Sequence, residues 1–341
     1  MHFNITKKKI MSKYLVCGAG GFIGGHLVKS LLDDGHTVVC ADVKPLDYWF
    51  QLHDECKNFS LDLKEIENCE KIMPEVEYVY NMACNMGGMG FIENNKAECM
   101  LSVLINTNLL RSCIKHKVKK YFFSSSACVY NGSKQSDTFI DGLKEEDAYP
   151  AMPEDGYGWE KLFSERMCRH FYEDFGLETR VARYHNVYGP MGTYDGGREK
   201  APAALCRKII EAKNSNDKKI DVWGDGKQTR SFMYIDDCLD GTKKLFESDF
   251  RDPLNIGSEE QVSINQMINI IENISEYKVD KNYQLDKPKG VRGRNSNNDL
   301  IRSSIGWDTK IPLKEGLHKT YNWINSQIKL NINNNKFTKK Y

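Results

Sequence analysis

The chain has almost no net charge and no long apolar run. Its 48 Lys and Arg residues nearly balance its 47 Asp and Glu residues, so the total charge does not indicate a polyanionic partner. No segment approaches the run of about 20 apolar residues that spans a bilayer. Residues 1–10 also lack the apolar core of a secretory signal. We therefore expect no nucleic-acid partner, no membrane segment and a cytoplasmic location.

The eleven cysteines contain no Cys-x-x-Cys pair. Pairs of that kind are typical of metal sites and redox-active disulfides. The cysteines are instead scattered through apolar segments that resemble strands and helices. We expect reduced, mostly buried thiols and no metal site.

Strand-like apolar runs alternate with helical periods, which predicts a parallel sheet with helices on both faces. The 341 residues are enough for one large α/β unit or for two closely packed domains. The expected fold class is α/β, a doubly wound parallel Rossmann sheet with a smaller C-terminal α/β substrate domain. The predicted strands are 13–17, 37–42, 78–83, 120–125 and 179–183, and the predicted helices are 21–33, 97–115 and 157–175, the last ending at Gly176.

The domain bounds follow from where this alternation weakens. We expect a tail over 1–12, an NAD-binding domain over 13–187, a substrate domain over 188–330, and a solvated Asn/Lys-rich tail over 331–341. A strand and helix within 231–256 are expected to return to the first domain.

A glycine-rich turn predicts the cofactor site. Gly18, Gly21 and Gly24 follow the first strand and open a helix, with Phe22 and Ile23 between them. Such a turn lets a dinucleotide pyrophosphate approach the free amides of a helix N-terminus. This spacing alone is weak evidence, because a glycine-rich strand–helix turn can serve packing only.

Two acidic residues strengthen the cofactor prediction. Asp42 closes the second strand at the spacing of an acid that binds ribose hydroxyls, which favours NAD over NADP; the alternative is a helix cap or a surface acid. Asp62 follows a third short strand. A contact with the adenine and an ordinary turn are about equally consistent with this position.

A Tyr-x-x-x-Lys pair predicts redox chemistry. Tyr157 and Lys161 are four residues apart, so one helix face presents both. A lysine ammonium stabilises the phenolate, which then accepts a hydroxyl proton as hydride leaves. Ser126, at the end of a strand, is expected to bind the same substrate oxygen. Such pairs also occur by chance, but their order after the glycine turn and the serine-rich strand end favours catalysis.

These motifs, in this order, resemble extended short-chain dehydrogenases/reductases that act on nucleotide sugars. Within that group the chain resembles the GDP-mannose 3,5-epimerase family, and the resemblance covers about residues 13–328. Its most specific segments are 86–91 (MGGMGF), 196–204 (GGREKAPAA), 223–231 (WGDGKQTRS) and 290–296 (GVRGRNS).

The resemblance implies NAD-dependent conversion of GDP-mannose to GDP-L-galactose, with GDP-L-gulose as a second possible product. Ser126, Tyr157 and Lys161 would oxidise and reduce C4, and Cys128 with Lys200 would form the acid/base pair. A ketone at C4 acidifies the hydrogens on C3 and C5, and inversion then needs proton removal on one face and delivery on the other. Ring flipping would let one group do both. Taken singly, Cys128 could be a packing residue and Lys200 a solvated one.

The same resemblance implies a set of substrate-binding residues and a homodimer. The dimer would pair the helices 157–175 and 97–115. Arg230 and Arg294 also suit a diphosphate, because a guanidinium grips phosphate oxygens with two parallel bonds. The implied substrate-binding residues are Gly87, Ser126, Ala127, Cys128, Asn186, Glu199, Lys200, Ala201, Lys208, Gln228, Thr229, Arg230 and Arg294.

The chain departs from the family pattern in two places, and three other functions stay open. Asn85 stands where the family usually has an acid, and Asn131 and Gly132 where plant-like members have Pro and an acid. The alternatives are a 4-epimerase, a 4,6-dehydratase, or an NAD-binding scaffold without activity. A dehydratase needs carboxylates just after the serine, where this chain has Ala127 and Cys128.

Overall fold

The computed structural model describes residues 11–288, 290–330 and 336–338. Most of the two predicted tails lies outside the described residues. The strands are β1 Lys13–Cys17, β2 Thr37–Asp42, β3 Lys57–Ser60, β4 Tyr78–Asn81, β5 Lys120–Ser126, β6 Glu178–Tyr184, β7 Val187–Tyr188, β8 Lys219–Trp223, β9 Thr229–Ser231, β10 Met233–Tyr234, β11 Leu254–Ile256, β12 Gln261–Ser263, β13 Asp280–Gln284 and β14 Gly293–Arg294. The helices are α1 Phe22–Asp33, α2 Ile66–Ile72, α3 Met89–Asn94, α4 Lys96–Met100, α5 Ser102–Lys115, α6 Tyr157–Phe175, α7 Ala201–Ser215, α8 Ile235–Glu247, α9 Ile264–Ser275, α10 Asp299–Ile305 and α11 Leu313–Lys329.

Seven parallel strands form the main sheet, in the order β11-β6-β5-β4-β1-β2-β3. The strands near its centre are buried along almost their whole length, because helices cover both faces. In β2, for example, every residue after Thr37 is buried. The predicted α/β class and parallel Rossmann sheet are therefore confirmed.

Most predicted elements are present, with small shifts at their ends. The strand predicted to reach residue 83 stops at Asn81, because the Asn81 side chain accepts the amide of Ala83 at 3.1 Å and takes it out of the ladder. The helix predicted over 97–115 is divided into α4 and α5 at Leu101, whose carbonyl accepts the amide of Leu104 at 3.1 Å. The C-terminal end of α6 is as predicted, since Gly176 adopts the left-handed conformation with φ 71°.

After leaving the main sheet, the chain returns to it with β11. Within 231–256, α8 packs on α1 and β6, and β11 pairs with β6 through Leu254 opposite Ala182. The remaining small sheets, β8 with β13 and β9 with β12 and β14, lie beside α7, α9 and α11. One cluster of buried apolar side chains includes Val16 of the main sheet and Ile209 and Leu317 of these helices. The two parts therefore share a hydrophobic core.

The expectation of a solvated C-terminal tail is wrong for Phe337. Its side chain is only 4% exposed, and its ring lies 5.1 Å from Phe50 and 5.0 Å from Trp323, between ring centroids. The Tyr194 amide donates to the Phe337 carbonyl at 3.1 Å. An aromatic side chain in a polar tail thus gains burial against three aromatic neighbours.

All eleven cysteines are free thiols, and only Cys56 and Cys84 are partly exposed. In the described ranges, no group of three or more His, Cys, Asp or Glu side chains is arranged to hold a metal ion. No helix in the described part of the chain has the length and apolar character of a membrane span.

Candidate active site

A cavity of about 490 Å³ lies where the main sheet ends and α1, α6 and α7 begin. Ligands of open α/β sheets bind at this edge, outside the carboxyl ends of the strands. Of the predicted site residues, the cavity is lined by Gly18, Gly21, Phe22, Ile23, Gly24, Asp42, Asp62, Ser126, Tyr157 and Lys200. The structure therefore brings the predicted cofactor turn, the redox residues Ser126 and Tyr157, and one predicted acid/base residue to one cavity.

The glycine turn fits a pyrophosphate for steric reasons. Gly18 has φ +78°, and a Cβ there would lie 2.8 Å from the carbonyl carbon of Met82. A Cβ on Gly24 would collide with the Gly18 carbonyl oxygen. Gly21 precedes α1 and no side chain caps that helix, so the first amides of α1 remain available to an anion.

The two acids that line the cavity differ in their surroundings. Asp42 is 7% exposed at the end of β2, and burial raises the pKa of its carboxyl group. Its Oδ1 accepts the Lys44 amide at 2.9 Å. Asp62 is more exposed and accepts the Lys64 amide at 3.0 Å, which is a turn contact. The turn interpretation of Asp62 is therefore supported. Asp62 also lines the cavity, and its contact with the adenine stays a prediction.

The redox residues lie as the Tyr-x-x-x-Lys spacing predicts. Tyr157 is 4% exposed, burial raises the pKa of its phenol, and Ser126 is a hydrogen-bond partner that lowers it. Lys161 lies 5.5 Å from the Tyr157 ring centroid, measured from Nζ. Ser126 ends β5, and its Oγ accepts the Cys128 amide at 3.2 Å.

Lys161 also has a partner that the sequence did not reveal. Burial lowers the pKa of Lys161, but Cys84 and Glu160 outweigh burial and leave it raised. The Glu160 carboxylate is 3.6 Å from Nζ, and both side chains are 1% exposed. Among residues 11–288, 290–330 and 336–338, Nζ of Lys161 has no hydrogen-bond partner. A buried ammonium with spare donors fits the ribose hydroxyls of a nicotinamide nucleotide.

Cys128 lies at the centre of a polar cluster behind Tyr157. Its side chain is 7% exposed, and Nη1 of Arg294 donates to Sγ at 3.3 Å. The pKa of the thiol is raised to about 11, because burial and then Glu154 raise it more than Arg294 and Ser126 lower it. Burial lowers the pKa of Lys200, and the negative charge of an ionised Cys128 raises it. The thiol and the amine thus lie close enough to influence each other.

Arg294 does more than the sequence suggested. All three of its guanidinium nitrogens have partners: Nε donates to Gln135 at 2.6 Å, Nη1 to Cys128 at 3.3 Å and Nη2 to Glu154 at 3.4 Å. Its diphosphate contact stays a prediction. Arg230 is buried beside it, and burial followed by the charge of Arg294 lowers the pKa of Arg230 to about 9. Gln135 and Glu154 escaped sequence analysis because neither lies in a recognisable motif.

The other predicted substrate residues are not among the residues that line the cavity. Ala127 is buried between Ser126 and Cys128, and Ala201 begins α7. A Cβ on Gly87 would lie 2.7 Å from Phe91. Several polar side chains bind the backbone: Asn186 donates to Ser231 O at 3.1 Å, Thr229 to Thr138 O, Gln228 to Trp223 O at 2.8 Å and Lys208 to Asp221 O at 2.7 Å, while Glu199 accepts the Gly197 amide at 2.6 Å. Their contacts with substrate stay predictions.

The two departures from the family pattern have structural explanations. Asn85 accepts Nη1 of Arg198 at 3.0 Å, so an amide oxygen faces that guanidinium at the cavity. Asn131 accepts the Ser133 amide at 2.9 Å and donates to the Pro150 carbonyl at 2.8 Å. Asn131 therefore holds the loop between β5 and α6 rather than the acid/base pair.

Comparisons with known proteins give the relatives of this chain. The sequence profile described as "NAD dependent epimerase/dehydratase family" matches residues 14–257. The chain is 46% identical over 318 residues to the GDP-mannose 3,5-epimerase of Arabidopsis thaliana. The matched region covers 93% of this chain and 83% of the relative. It is 47% identical to GDP-mannose 3,5-epimerase 1 of Oryza sativa subsp. indica, over 92% of this chain and 82% of the relative.

Solved structures show the same fold. The UDP-glucose 4-epimerase of Thermotoga maritima superimposes with a TM-score of 0.83 at 24% identity, covering 93% of this chain and 99% of that one. The UDP-glucuronic acid 4-epimerase of Bacillus cereus, solved with UDP-glucuronic acid and NAD, gives a TM-score of 0.78 at 26% identity, over 92% of this chain and 99% of that one.

Proposed function

This chain belongs to the NAD dependent epimerase/dehydratase family and uses NAD, and we propose that it epimerises GDP-mannose at C3 and C5. The proposed product is GDP-L-galactose, with GDP-L-gulose as the product of inversion at C5 alone. The identity to curated GDP-mannose 3,5-epimerases over more than nine-tenths of the chain supports this substrate. The observation that carries the proposal is that Lys200 lines the same cavity as Ser126 and Tyr157, and that Cys128 lies beside Ser126, whose Oγ accepts the Cys128 amide at 3.2 Å.

NAD, when bound, supplies the acceptor for the C4 hydride and the means of returning it. The protein moves the accompanying proton. Tyr157 accepts the proton of the C4 hydroxyl and later gives it back, and Ser126 holds the same oxygen. Burial raises the pKa of Tyr157, so a phenolate needs a cation nearby. Lys161 supplies this cation, because its Nζ lies 5.5 Å from the centroid of the Tyr157 ring.

Inversion is the task of the thiol and the amine. The ketone at C4 delocalises a carbanion at C3 or C5, so a proton on either carbon becomes removable. One group takes the proton on one face of the ring and the other delivers a proton on the opposite face. The cation of Arg294, 3.3 Å from Cys128, opposes the effect of burial on the pKa of the thiol and so favours release of its proton.

The nucleotide and the dimer belong to the same proposal. Arg230 and Arg294 bring two cations to the cluster, which supports binding of a diphosphate near Cys128. Exposed apolar side chains on and beside α5 and α6 support a homodimer through these helices, since such side chains mark an interface when they cluster. They are Leu101, Leu104, Trp159 and Phe163, each more than 40% exposed.

The test is isotope exchange during turnover. Purified protein incubated with GDP-mannose in deuterated water should incorporate solvent deuterium at both C3 and C5, detected by NMR of the product. Cys128→Ser should abolish incorporation while leaving bound NAD in place. Cys56→Ser, at a partly exposed thiol outside the cavity lining, is the matched control and should behave like the native protein. Absence of deuterium at C3 and C5, or full exchange in Cys128→Ser, would contradict the proposal.

A further inference from the structure

One arginine serves both the thiol and a carboxylate. Arg294 is 5% exposed. Its Nη1 lies 3.3 Å from Sγ of Cys128, and its Nη2 lies 3.4 Å from Oε2 of Glu154. The guanidinium therefore divides its charge between two groups that would each bind it as an anion.

The backbone holds Glu154 beside Cys128. The amide of Glu154 donates to the Cys128 carbonyl at 2.9 Å, just before α6 begins at Tyr157. Gly158 permits this close approach, because a Cβ there would collide with the same carbonyl oxygen. Main-chain contacts thus hold the backbone of Glu154 close to that of Cys128.

One oxygen of Glu154 has no use in the fold. Its Oε1 is buried and has no hydrogen-bond partner within the part of the chain that the structure describes. A buried carboxylate oxygen without a donor is destabilising as a rule, so stability does not explain a glutamate here. The ion pair through Oε2, at 3.4 Å, is too long to offset it fully.

The charges around the sulfur are mostly positive. The groups that face Cys128 are Arg294, Arg230 and Lys200 as cations, Glu154 as the carboxylate, and the Tyr157 phenol. Glu93 faces Glu154 from α3. Burial raises the pKa of the Cys128 thiol, Glu154 raises it again, and Arg294 opposes both. Without Glu154, Arg294 would act on Cys128 alone, and the pKa of the thiol would fall.

We propose that Glu154 is a positioning residue that shares Arg294 with Cys128 and keeps this sulfur protonated in the substrate-free enzyme. The inference rests on the proposed function in one respect, that Cys128 is a group that moves protons during epimerisation. A thiol that stayed ionised would be unable to deliver a proton to carbon. Glu154 thereby preserves the exchange of protonation state that an acid/base residue needs.

The reactivity of the thiol tests this directly, without any sugar. Alkylation by iodoacetamide proceeds through the thiolate, and peptide mass spectrometry measures its rate at Cys128 in the full-length, NAD-containing protein. Glu154→Gln removes the charge and keeps the shape, so we expect alkylation at Cys128 about tenfold faster at pH 8, as for a fall of one pKa unit. Glu154→Asp keeps the charge and opens space, and should stay within about twofold of the native rate.

The neighbouring carboxylate provides the matched control. Asp155 is 72% exposed and pairs with Lys96 at 2.6 Å, so Asp155→Asn removes the same charge one residue away without touching Arg294. It should leave the rate at Cys128 unchanged. An unchanged rate in Glu154→Gln would overturn the proposal. So would an equal increase in Asp155→Asn, which would mean a general charge effect, or in Glu154→Asp, which would mean altered access.

Turnover separates this proposal from the proposed function. In a protein that epimerises GDP-mannose, Glu154→Gln should also move the midpoint of the pH–rate profile to lower pH, whereas a purely structural role would lower the rate at every pH equally. If no deuterium enters GDP-mannose in the native protein but Glu154→Gln still speeds alkylation tenfold, the substrate assignment fails and the control of the thiol by Glu154 holds. If exchange is normal and neither readout moves, the assignment of Glu154 fails alone.

Discussion

Replacing Arg183 should lower the free energy of unfolding more than replacing an exposed arginine does. Arg183 on β6 reaches Glu165 on α6 through two bonds, Nη2 to Oε2 at 2.7 Å and Nε to Oε1 at 3.0 Å. Ser125 on β5 donates to the same carboxylate, and Nη1 of Arg183 donates to the Glu145 carbonyl at 2.6 Å. The pair therefore ties the helix that carries Tyr157 to the two strands beneath it.

The size of the effect follows from burial. Both side chains are 3% exposed, so Arg183→Met leaves the Glu165 carboxylate in the interior with Ser125 as a donor but no cation. Removing one partner of such a pair lowers the free energy of unfolding by about 3–5 kcal/mol. Glu165→Gln leaves a buried guanidinium and should have an effect of similar size. The double variant removes both charges, so we expect it to be less destabilised than the sum of the two by about 2 kcal/mol or more.

Urea unfolding of the four proteins, followed by circular dichroism, measures this coupling. Lys29→Met is a matched control, since Lys29 pairs with Asp33 on the surface at 2.9 Å with more than half of each side chain exposed. That change should lower stability by no more than about 0.5 kcal/mol. Additivity of the two buried substitutions within about 0.5 kcal/mol would refute the reasoning, because it would mean that Arg183 and Glu165 stabilise the fold independently.

Three further predictions concern pH, the C-terminal segment and the cofactor. Burial lowers the pKa of His185 from 6.5 to about 3. The contribution of the neutral imidazole to the free energy of unfolding is therefore fully present above pH 6.5 and is lost as pH falls towards 3, at up to about 1.4 kcal/mol per pH unit. His185→Gln should remove this component from the pH dependence of urea unfolding. Phe337→Ala should lower stability by about 3 kcal/mol in thermal melting, and an effect below about 1 kcal/mol would contradict its burial. Asp42→Asn should weaken NAD binding about tenfold in calorimetry and bind NADP no worse than the native protein does; an unchanged NAD affinity would remove Asp42 from the ribose site.

The comparison of sequence and structure is clearest in the main sheet. Buried strands leave an uninterrupted apolar run, as in β2, and a glycine in the left-handed conformation ends α6 at Gly176. Both signals are local, so the sequence predicted them directly. The end of β4 at Asn81 was missed because a side-chain contact competed with the ladder. The position of Phe337 was missed because its burial depends on Phe50 and Tyr194, which are far away in the chain.

The site shows the same division. Spacing of four on one helix placed Tyr157 and Lys161 together, and a strand end placed Ser126 beside them, because both are consequences of regular backbone geometry. Nothing in the sequence paired Arg294 with Cys128, 166 residues apart. Their contact requires β14, which carries Arg294, to pair with β9.

The order of residues alone determined the parallel sheet, the glycine cradle and the redox pair, since each depends on neighbours within a few turns or one strand. The tertiary structure decided which charges surround Cys128 and Lys161. Those charges come from Arg294, Glu154 and Glu160, and only packing of distant segments into a water-poor interior gives such charges the strength to set the protonation of a neighbouring group.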